Sequence, residues 1–149
     1  MQLKDICTLD VASCSRQTTI AEAARLMRHH HTGTLVVVDD PQGERTPAGV
    51  VTDRDIVVQA LAEELDPART EVSRIMGTKV VMASVQESLA DGIERMRLHG
   101  VRRLPIVDQE GGLAGIVTLD DLLALHAQQA ATIAEIVSKE QVHERRTRR

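Results

Sequence analysis

Two short stretches decide how this chain folds: residues 101–108, which read VRRLPIVD, and residues 115–121, which read GIVTLDD. Each contains a short apolar run bounded by polar residues or glycine, a pattern typical of a buried strand. Similar stretches occur earlier in the chain, as TGTLVVVD at residues 32–39 and GVVTDRD at residues 49–55. The chain of 149 residues therefore contains an internal repeat.

The repeat extends beyond these strands. Residues 15–39 align with residues 84–108, and residues 48–55 align with residues 114–121. The first copy has three more residues than the second in its turn-rich stretch, residues 40–47. A surface turn tolerates such an insertion because the entropy of loop closure depends only weakly on loop length.

Each copy predicts the same order of elements: strand, helix, strand, strand, helix. The first helix of each copy begins with a capping-box pattern, at residues 19–22 and 88–91. A short strand is expected ahead of each of these helices, near residues 11–12 and near residues 80–82.

The second helix of each copy is expected directly after the last strand. It runs from Asp53 to about Glu63 in the first copy and from Leu119 to about Ser138 in the second. The longer helix carries apolar side chains that are expected to form a dimer contact or part of the core: Leu122, Leu123, Ile133, Ile136 and Val137.

The expected fold class is α+β, with two β-α-β-β-α repeats packed as one pseudo-twofold unit. A copy of about 60 residues cannot bury both faces of its sheet alone, whereas two copies packed sheet to sheet can. The expected division is repeat 1 at residues 1–63, a linker at 64–72, repeat 2 at 73–127, and a C-terminal helix extension with a basic tail at 128–149.

The composition excludes several classes of function. The chain has no Phe, Tyr or Trp, whereas single-stranded nucleic-acid platforms and base-flipping pockets depend on aromatic stacking. The formal net charge of −4 also disfavours nucleic-acid binding. The four arginines in residues 141–149 are expected to belong to a solvated, frayed end.

The same inspection bears on the location of the chain. No run of about 18 apolar residues is present, so no membrane span or membrane partner is expected. Residues 1–10 lack the apolar run of a signal peptide. Cys7 and Cys14 are too few for a disulfide scaffold, which favours a reduced, cytoplasmic setting.

The repeated motifs, present twice in order and in register, resemble the CBS domain, and the tandem pair resembles a Bateman module. The resemblance covers about residues 4–126. It implies a non-catalytic regulatory module that binds adenine nucleotides (AMP, ADP or ATP, with adenosylmethionine or NAD as alternatives) in clefts between the copies. It also implies a homodimer of modules, no required cofactor, and a separate regulated protein that the sequence does not identify.

Each copy carries a Thr-x-x-Asp turn where the last strand meets the second helix: Thr52 with Asp55, and Thr118 with Asp121. The pattern has two readings that do not exclude each other. The threonine and aspartate can cap the helix N terminus. The carboxylate can also accept hydrogen bonds from a ribose diol, while free N–H groups of the helix favour an anion.

The resemblance extends the two sites unequally. Arg102 and Arg103 match phosphate-contacting positions of the family in the Asp121 cleft, although they could instead be solvated or paired on a helix. The resemblance implies that adenine and ribose in this cleft are lined by several small or apolar residues, with Val101 beside the arginines: Cys7, Val11, Ala12, Thr32 and Gly33.

In the Asp55 cleft, Gly33 and Thr34 occupy the positions of those two arginines. Arg54 is the expected phosphate partner there, and its counterpart in the Asp121 cleft is Asp120, which would repel phosphate. The expected apolar wall consists of Met76, Val80 and Val81. Two arginines against one predict tighter nucleotide binding in the Asp121 cleft.

No catalytic or metal-binding arrangement is expected from the sequence. There is no Walker loop, Rossmann glycine pattern or nucleophile elbow. The consecutive His29, His30 and His31 point in different directions around a helix, which disfavours a shared metal ion. A structural dimerisation module without a ligand, and a small enzyme or metal protein, are the alternatives to nucleotide binding.

Overall fold

The computed structural model describes residues 1–40 and 43–147. Its chain divides into two units, Met1–Val117 and Thr118–Arg149. The first repeat begins with a 3-10 turn, Leu3–Asp5, and continues with these elements: β1 Ser13–Cys14, α1 Ile20–His30, β2 Thr34–Asp39, β3 Thr46–Thr52 and α2 Asp53–Asp55, which continues as a π-helix, Ile56–Leu61.

The second repeat follows the same order. A 3-10 turn, Val72–Arg74, precedes these elements: β4 Ala83–Ser84, α3 Leu89–His99, β5 Arg103–Val107, β6 Leu113–Thr118 and α4 Leu119–Thr147. The second unit of the chain is essentially α4.

Two three-stranded sheets, in the orders β1-β2-β3 and β4-β5-β6, form the framework of the fold. In both sheets the short first strand is parallel to the second. β2 and β3 are antiparallel, with Thr34 opposite Thr52. The predicted α+β class with two β-α-β-β-α repeats is therefore confirmed.

The capping boxes predicted for the first helices also form, although not identically. Thr19 Oγ1 accepts from the N–H of Glu22, whose carboxylate accepts from the N–H of Thr19. Ser88 Oγ accepts from the N–H of Asp91, and its hydroxyl donates to the Asp91 carboxylate at 2.6 Å.

The first strands lie slightly later in the chain than predicted. They are Ser13–Cys14 and Ala83–Ser84 rather than residues 11–12 and 80–82. The residues ahead of each strand first pair with the other repeat, through bridges of Thr8 with Ile116 and of Gly77 with Val50. The chain must cross between the two pairings, so it joins its own sheet only afterwards.

The second helices also differ from the prediction. In repeat 1 the regular α-helix ends at Asp55, and a π-helix continues to Leu61, in which the N–H of Ala62 donates to the Val57 carbonyl at 3.1 Å. In repeat 2 the helix continues to Thr147 instead of ending near Ser138. The tail expected to be frayed is therefore helical to Thr147, and Arg148 and Arg149 lie outside the described residues.

Within residues 1–117, the segment that leads into each repeat packs on the other repeat. The N–H of Leu3 donates to the Glu87 carbonyl at 2.9 Å, and the N–H of Val72 donates to the Thr18 carbonyl at 2.8 Å. Leu3 and Val72 occupy equivalent places, and both are fully buried. The two repeats thus exchange their leading segments in a symmetric manner.

Glycines on the receiving strands permit this exchange. A Cβ at Gly115 would lie 2.8 Å from Cys7 Sγ, and a Cβ at Gly49 would lie 2.8 Å from Met76 Sδ. Each leading segment therefore lies directly on the backbone of the opposite repeat's last strand. Any larger residue at these two positions would force the segments apart.

Leu3 tests how much the exchange contributes to stability. A Cβ at Gly92 in α3 would lie 2.7 Å from Leu3 Cδ2, so the two residues are closely packed. We expect Leu3→Ala to lower the free energy of unfolding by about 2–5 kcal/mol, because it removes a buried side chain and leaves a cavity. Urea denaturation measures the change.

Leu9→Ala is the matched control, because Leu9 is 75% exposed in the same leading segment. We expect the control to change stability by less than about 0.5 kcal/mol. Equal losses in the two variants would contradict the role assigned to Leu3.

Candidate functional site

The two Thr-x-x-Asp turns have nearly the same hydrogen bonds. In repeat 1, the N–H and Oγ1 of Thr52 donate to Asp55 Oδ2 at 2.8 and 2.9 Å, and the N–H of Asp55 donates back to Thr52 Oγ1 at 3.2 Å. In repeat 2, Thr118 and Asp121 make the same three bonds at 2.8, 2.8 and 3.2 Å. The capping reading of both motifs is therefore correct.

These bonds leave part of each carboxylate free. All three involve only one oxygen of the aspartate, Oδ2, and within the described part of the chain Oδ1 of Asp55 and Asp121 has no hydrogen-bond partner. Both aspartates are half-buried. Each turn thus holds a carboxylate in a fixed orientation with an acceptor oxygen available.

The start of β2 supplies a second feature of the repeat 1 site. Thr34 is only 5% exposed, and its Oγ1 has no hydrogen-bond partner among the described residues. Its backbone N–H instead donates to Thr32 Oγ1 at 3.3 Å. Because Thr34 pairs with Thr52 across the antiparallel ladder, the two side chains project to the same face of the sheet.

Asp53 is a site residue that the sequence analysis missed. Its N–H donates to the Gly33 carbonyl at 2.9 Å, which extends the β2–β3 ladder by one step. A Cβ at Gly33 would lie 2.6 Å from Asp53 Oδ2, so the carboxylate occupies the space beside Gly33. Comparison of the two copies could have drawn attention to it, because the counterpart of Asp53 is Leu119.

Three arginines at the predicted phosphate positions are exposed: Arg54, Arg102 and Arg103. None of them forms an ion pair within the described residues. By contrast, Arg16 forms a two-pronged pair with Asp39, through distances of 2.7 and 2.9 Å. The guanidinium groups of the three predicted arginines are therefore not committed to a described structural carboxylate.

The predicted apolar wall residues lie on the crossing segments. Met76 is buried against Gly49, on the strand that leads to Thr52, and the half-buried Cys7 lies against Gly115 on β6. The remaining predicted wall residues are half-buried: Val11, Ala12, Val80, Val81 and Val101. Thr32 and Gly33 lie beside Thr34 and Asp53 of their own repeat.

The second unit contains Thr118, Asp120 and Asp121 in the first turn of the α4 segment. Asp120 is exposed, whereas Asp121 is held by the capping bonds. The adjacent carboxylates therefore differ in environment although they are neighbours in sequence.

The structure adds two facts about metals and membranes. Within residues 1–40 and 43–147, no group of three or more His, Cys, Asp or Glu side chains is arranged to hold a metal ion. His29 and His30 meet edge to face, with ring centroids 5.0 Å apart. None of the described helices combines the length and apolar character needed to cross a membrane.

The comparison with known proteins identifies the fold family. A model of the CBS domain matches residues 3–61 and again residues 72–127. This chain belongs to the CBS-domain family. The two matches correspond to the two repeats, so the protein is a CBS-domain pair.

Similar proteins include the CBS domain-containing protein YhcV of Bacillus subtilis, which is 39% identical over 95% of this chain and 98% of its own length. The crystal structure of Hypoxic Response Protein I, with two coordinated zinc ions, is 30% identical over 83% of this chain and 98% of that chain, with a TM-score of 0.74. The CBS-domain pair of protein MJ0100, in complex with methylthioadenosine and adenosylmethionine, is 26% identical over 87% of this chain and 98% of that chain, with a TM-score of 0.75.

The two cysteines provide a test of the local environments. Burial raises the pKa of the Cys14 thiol to about 11, and it also raises the pKa of Cys7, although Cys7 is more exposed. A raised pKa leaves less thiolate at a given pH, and the thiolate is the reactive form. We expect Cys7 to react with a maleimide at about pH 8 at least tenfold faster than Cys14, because of exposure and ionisation together.

Mass spectrometry after timed alkylation measures the two rates, and Cys7→Ser and Cys14→Ser variants assign them. Unfolding in guanidinium should bring the two rates close together. Faster labelling of Cys14 than of Cys7 in the folded protein would contradict the described burial.

Proposed function

We propose that this CBS-domain pair is a non-catalytic regulatory module that binds an adenine nucleotide of the AMP, ADP or ATP class and signals to a separate protein. Adenosylmethionine and NAD belong to the same adenosine-containing class and are the alternative ligands. The observation that carries the proposal is the pair of Thr-x-x-Asp turns, each with a fixed carboxylate and an available oxygen.

Ribose recognition is the role proposed for these turns. A vicinal diol donates two hydrogen bonds, and a carboxylate accepts both with charge-assisted strength. Asp55 and Asp121 are already oriented by three hydrogen bonds each, so a ligand would not have to order them. This supports a ligand role for the aspartates in addition to capping.

Phosphate recognition is proposed for Arg102 and Arg103. Both are exposed, and an arginine presents a planar fork of donors that matches phosphate oxygens. Repeat 1 has one arginine for this purpose, Arg54. We therefore propose that the ligand contacts of repeat 2 favour a phosphate more than those of repeat 1.

Adenine recognition is proposed for the wall formed by the crossing segments. The chain has no aromatic residue for stacking, but Cys7 and Met76 present soft, polarizable sulfur atoms at the two glycine contacts. The neighbouring backbone groups of residues 11–12 and 80–81 can read the edge of the base.

Signalling is proposed to involve a homodimer. Several large apolar side chains on α4 are exposed, including Leu123, Ile133 and Ile136 at 59–63%. Apolar side chains at such exposure are often covered by a partner. A ligand that binds one arrangement of the module better than another shifts the population, which the regulated protein can read.

The arginine pair gives a direct test. We expect Arg102→Ala with Arg103→Ala to weaken AMP binding roughly tenfold or more, because two charge-assisted phosphate contacts are lost. Isothermal titration calorimetry measures the change. Adenosine, which has no phosphate, should bind the variant and the unmodified protein equally.

The matched control replaces Arg25 and Arg69 with alanine, which removes the same charge from exposed positions on α1 and in the linker. We expect a change of less than threefold in AMP affinity. Unchanged AMP binding in the Arg102 and Arg103 variant would refute their assignment.

A thermal-shift panel separates the proposed function from its alternatives. A ligand present at 100 times its dissociation constant stabilises the folded state by about 2.7 kcal/mol, or about 5–10 °C for a chain of this size. We expect such a shift with at least one of AMP, ADP, ATP, NAD and adenosylmethionine. Zn²⁺ is included as the metal arm.

No shift with any adenosine ligand would favour a structural dimerisation module. A shift with Zn²⁺ alone would favour a metal protein. Either result contradicts nucleotide binding as the function of the pair.

A further inference from the structure

The two repeats carry opposite charge at equivalent positions beside the Thr-x-x-Asp turn. Repeat 2 has Arg102 followed later by Leu119, whereas repeat 1 has Gly33 and Asp53 at the matching positions. A cation in one copy is therefore replaced by no side chain, and a leucine by an anion. The positions are those for which phosphate contact is proposed.

The Asp53 carboxylate is placed where it would face such a ligand group. Its backbone is fixed by the bond from its N–H to the Gly33 carbonyl, at 2.9 Å. Its Oδ1 accepts the N–H of Arg54 at 2.8 Å, and Oδ2 lies beside Gly33. The carboxylate thus fills the space that a side chain at position 33 would occupy, and it is exposed.

A second, independent feature also points to a ligand at this place. Thr34 Oγ1 is buried without a hydrogen-bond partner among the described residues, and Thr34 shares a sheet face with Thr52. A buried hydroxyl without a partner is costly unless a ligand or water satisfies it. The hydroxyl is neutral, so it can serve a polar ligand group without requiring a negative charge.

The other charged groups next to this place are Asp55 and Arg54. Asp55 adds to the negative potential, although its Oδ2 is used in capping. Arg54 opposes it, but its side chain is exposed and has no described ion-pair partner, so no contact holds it near the ligand. The carboxylates are held by hydrogen bonds, and their sign therefore dominates locally.

We propose that the repeat 1 site selects an adenosine ligand whose 5′ substituent is uncharged or cationic, of the thioether or sulfonium class, and that Asp53 is the residue that sets this preference. The proposal rests on the proposed function, since it assumes that Asp55 binds the ribose. Asp53 disfavours a 5′-phosphate by like-charge repulsion and favours a sulfonium by attraction.

The test is Asp53→Asn, which removes the charge and keeps the size and the acceptor for the Arg54 N–H. Calorimetric titrations use three probes: AMP, methylthioadenosine and adenosylmethionine. They are made in an Asp121→Asn background, which weakens the ribose contact of repeat 2. We expect AMP affinity to rise about three- to tenfold, adenosylmethionine affinity to fall by a similar factor, and methylthioadenosine affinity to stay within twofold.

Glu110→Gln is the matched control, because Glu110 is an exposed carboxylate in the turn between β5 and β6, at the opposite end of the strands. It should leave all three affinities within twofold. Asp53→Leu, which installs the repeat 2 residue, should reproduce the changes of Asp53→Asn. If the background variant does not fold, the weaker AMP site is resolved by two-site fits without it.

The outcomes separate this inference from the proposed function. If none of the probes binds the unmodified protein, the proposed function itself fails. If the probes bind but Asp53→Asn leaves the ratio of AMP to adenosylmethionine affinity unchanged, the selectivity assigned to Asp53 is overturned and the proposed function stands. Opposite shifts for the two charged probes, with methylthioadenosine unchanged, support it.

Discussion

The contact on which the rest of residues 1–117 depends is the seat that each repeat provides for the leading segment of the other. Leu3 and Val72 are fully buried at equivalent places, and their N–H groups donate to carbonyls of the opposite copy. A single repeat has too little apolar surface to bury both faces of its sheet. The exchange supplies the missing surface and the missing hydrogen bonds together. It also explains why two glycines, Gly49 and Gly115, stand where a segment crosses a strand.

The same geometry gives the Thr-x-x-Asp turns a double role. Each turn satisfies N–H groups at the start of a helix, which every helix requires. It uses one carboxylate oxygen for this purpose and leaves the other available. A structural requirement thus yields an oriented acceptor without extra residues. In repeat 1, the carboxylate of Asp53 and the unpartnered hydroxyl of Thr34 modify this common element, so that two sites derived from one motif differ in charge.

Much of the fold was predictable because local patterns and the repeat agreed. The capping-box patterns placed the starts of α1 and α3 correctly, at Ile20 and Leu89. The first strands were placed one to three residues too early, because their start depends on where the crossing segment leaves the other repeat. The length of α4 was underestimated, since its exposed turns to Thr147 carry no apolar periodicity that would mark an end. Asp53 was missed because its importance arises from the neighbouring strand.

The sequence by itself determined the two-copy architecture, the order of elements and the capping pairs, because these follow from periodicity, turn chemistry and spacing along one copy. The wall and arginine residues remain predictions that rest on the family resemblance. Only the tertiary structure decided which repeat receives each leading segment, and that the Asp53 carboxylate lies against Gly33 while Thr34 keeps a buried hydroxyl without a described partner. These features depend on contacts between residues distant along the chain. Local sequence patterns carry no information about such contacts until the strands are paired.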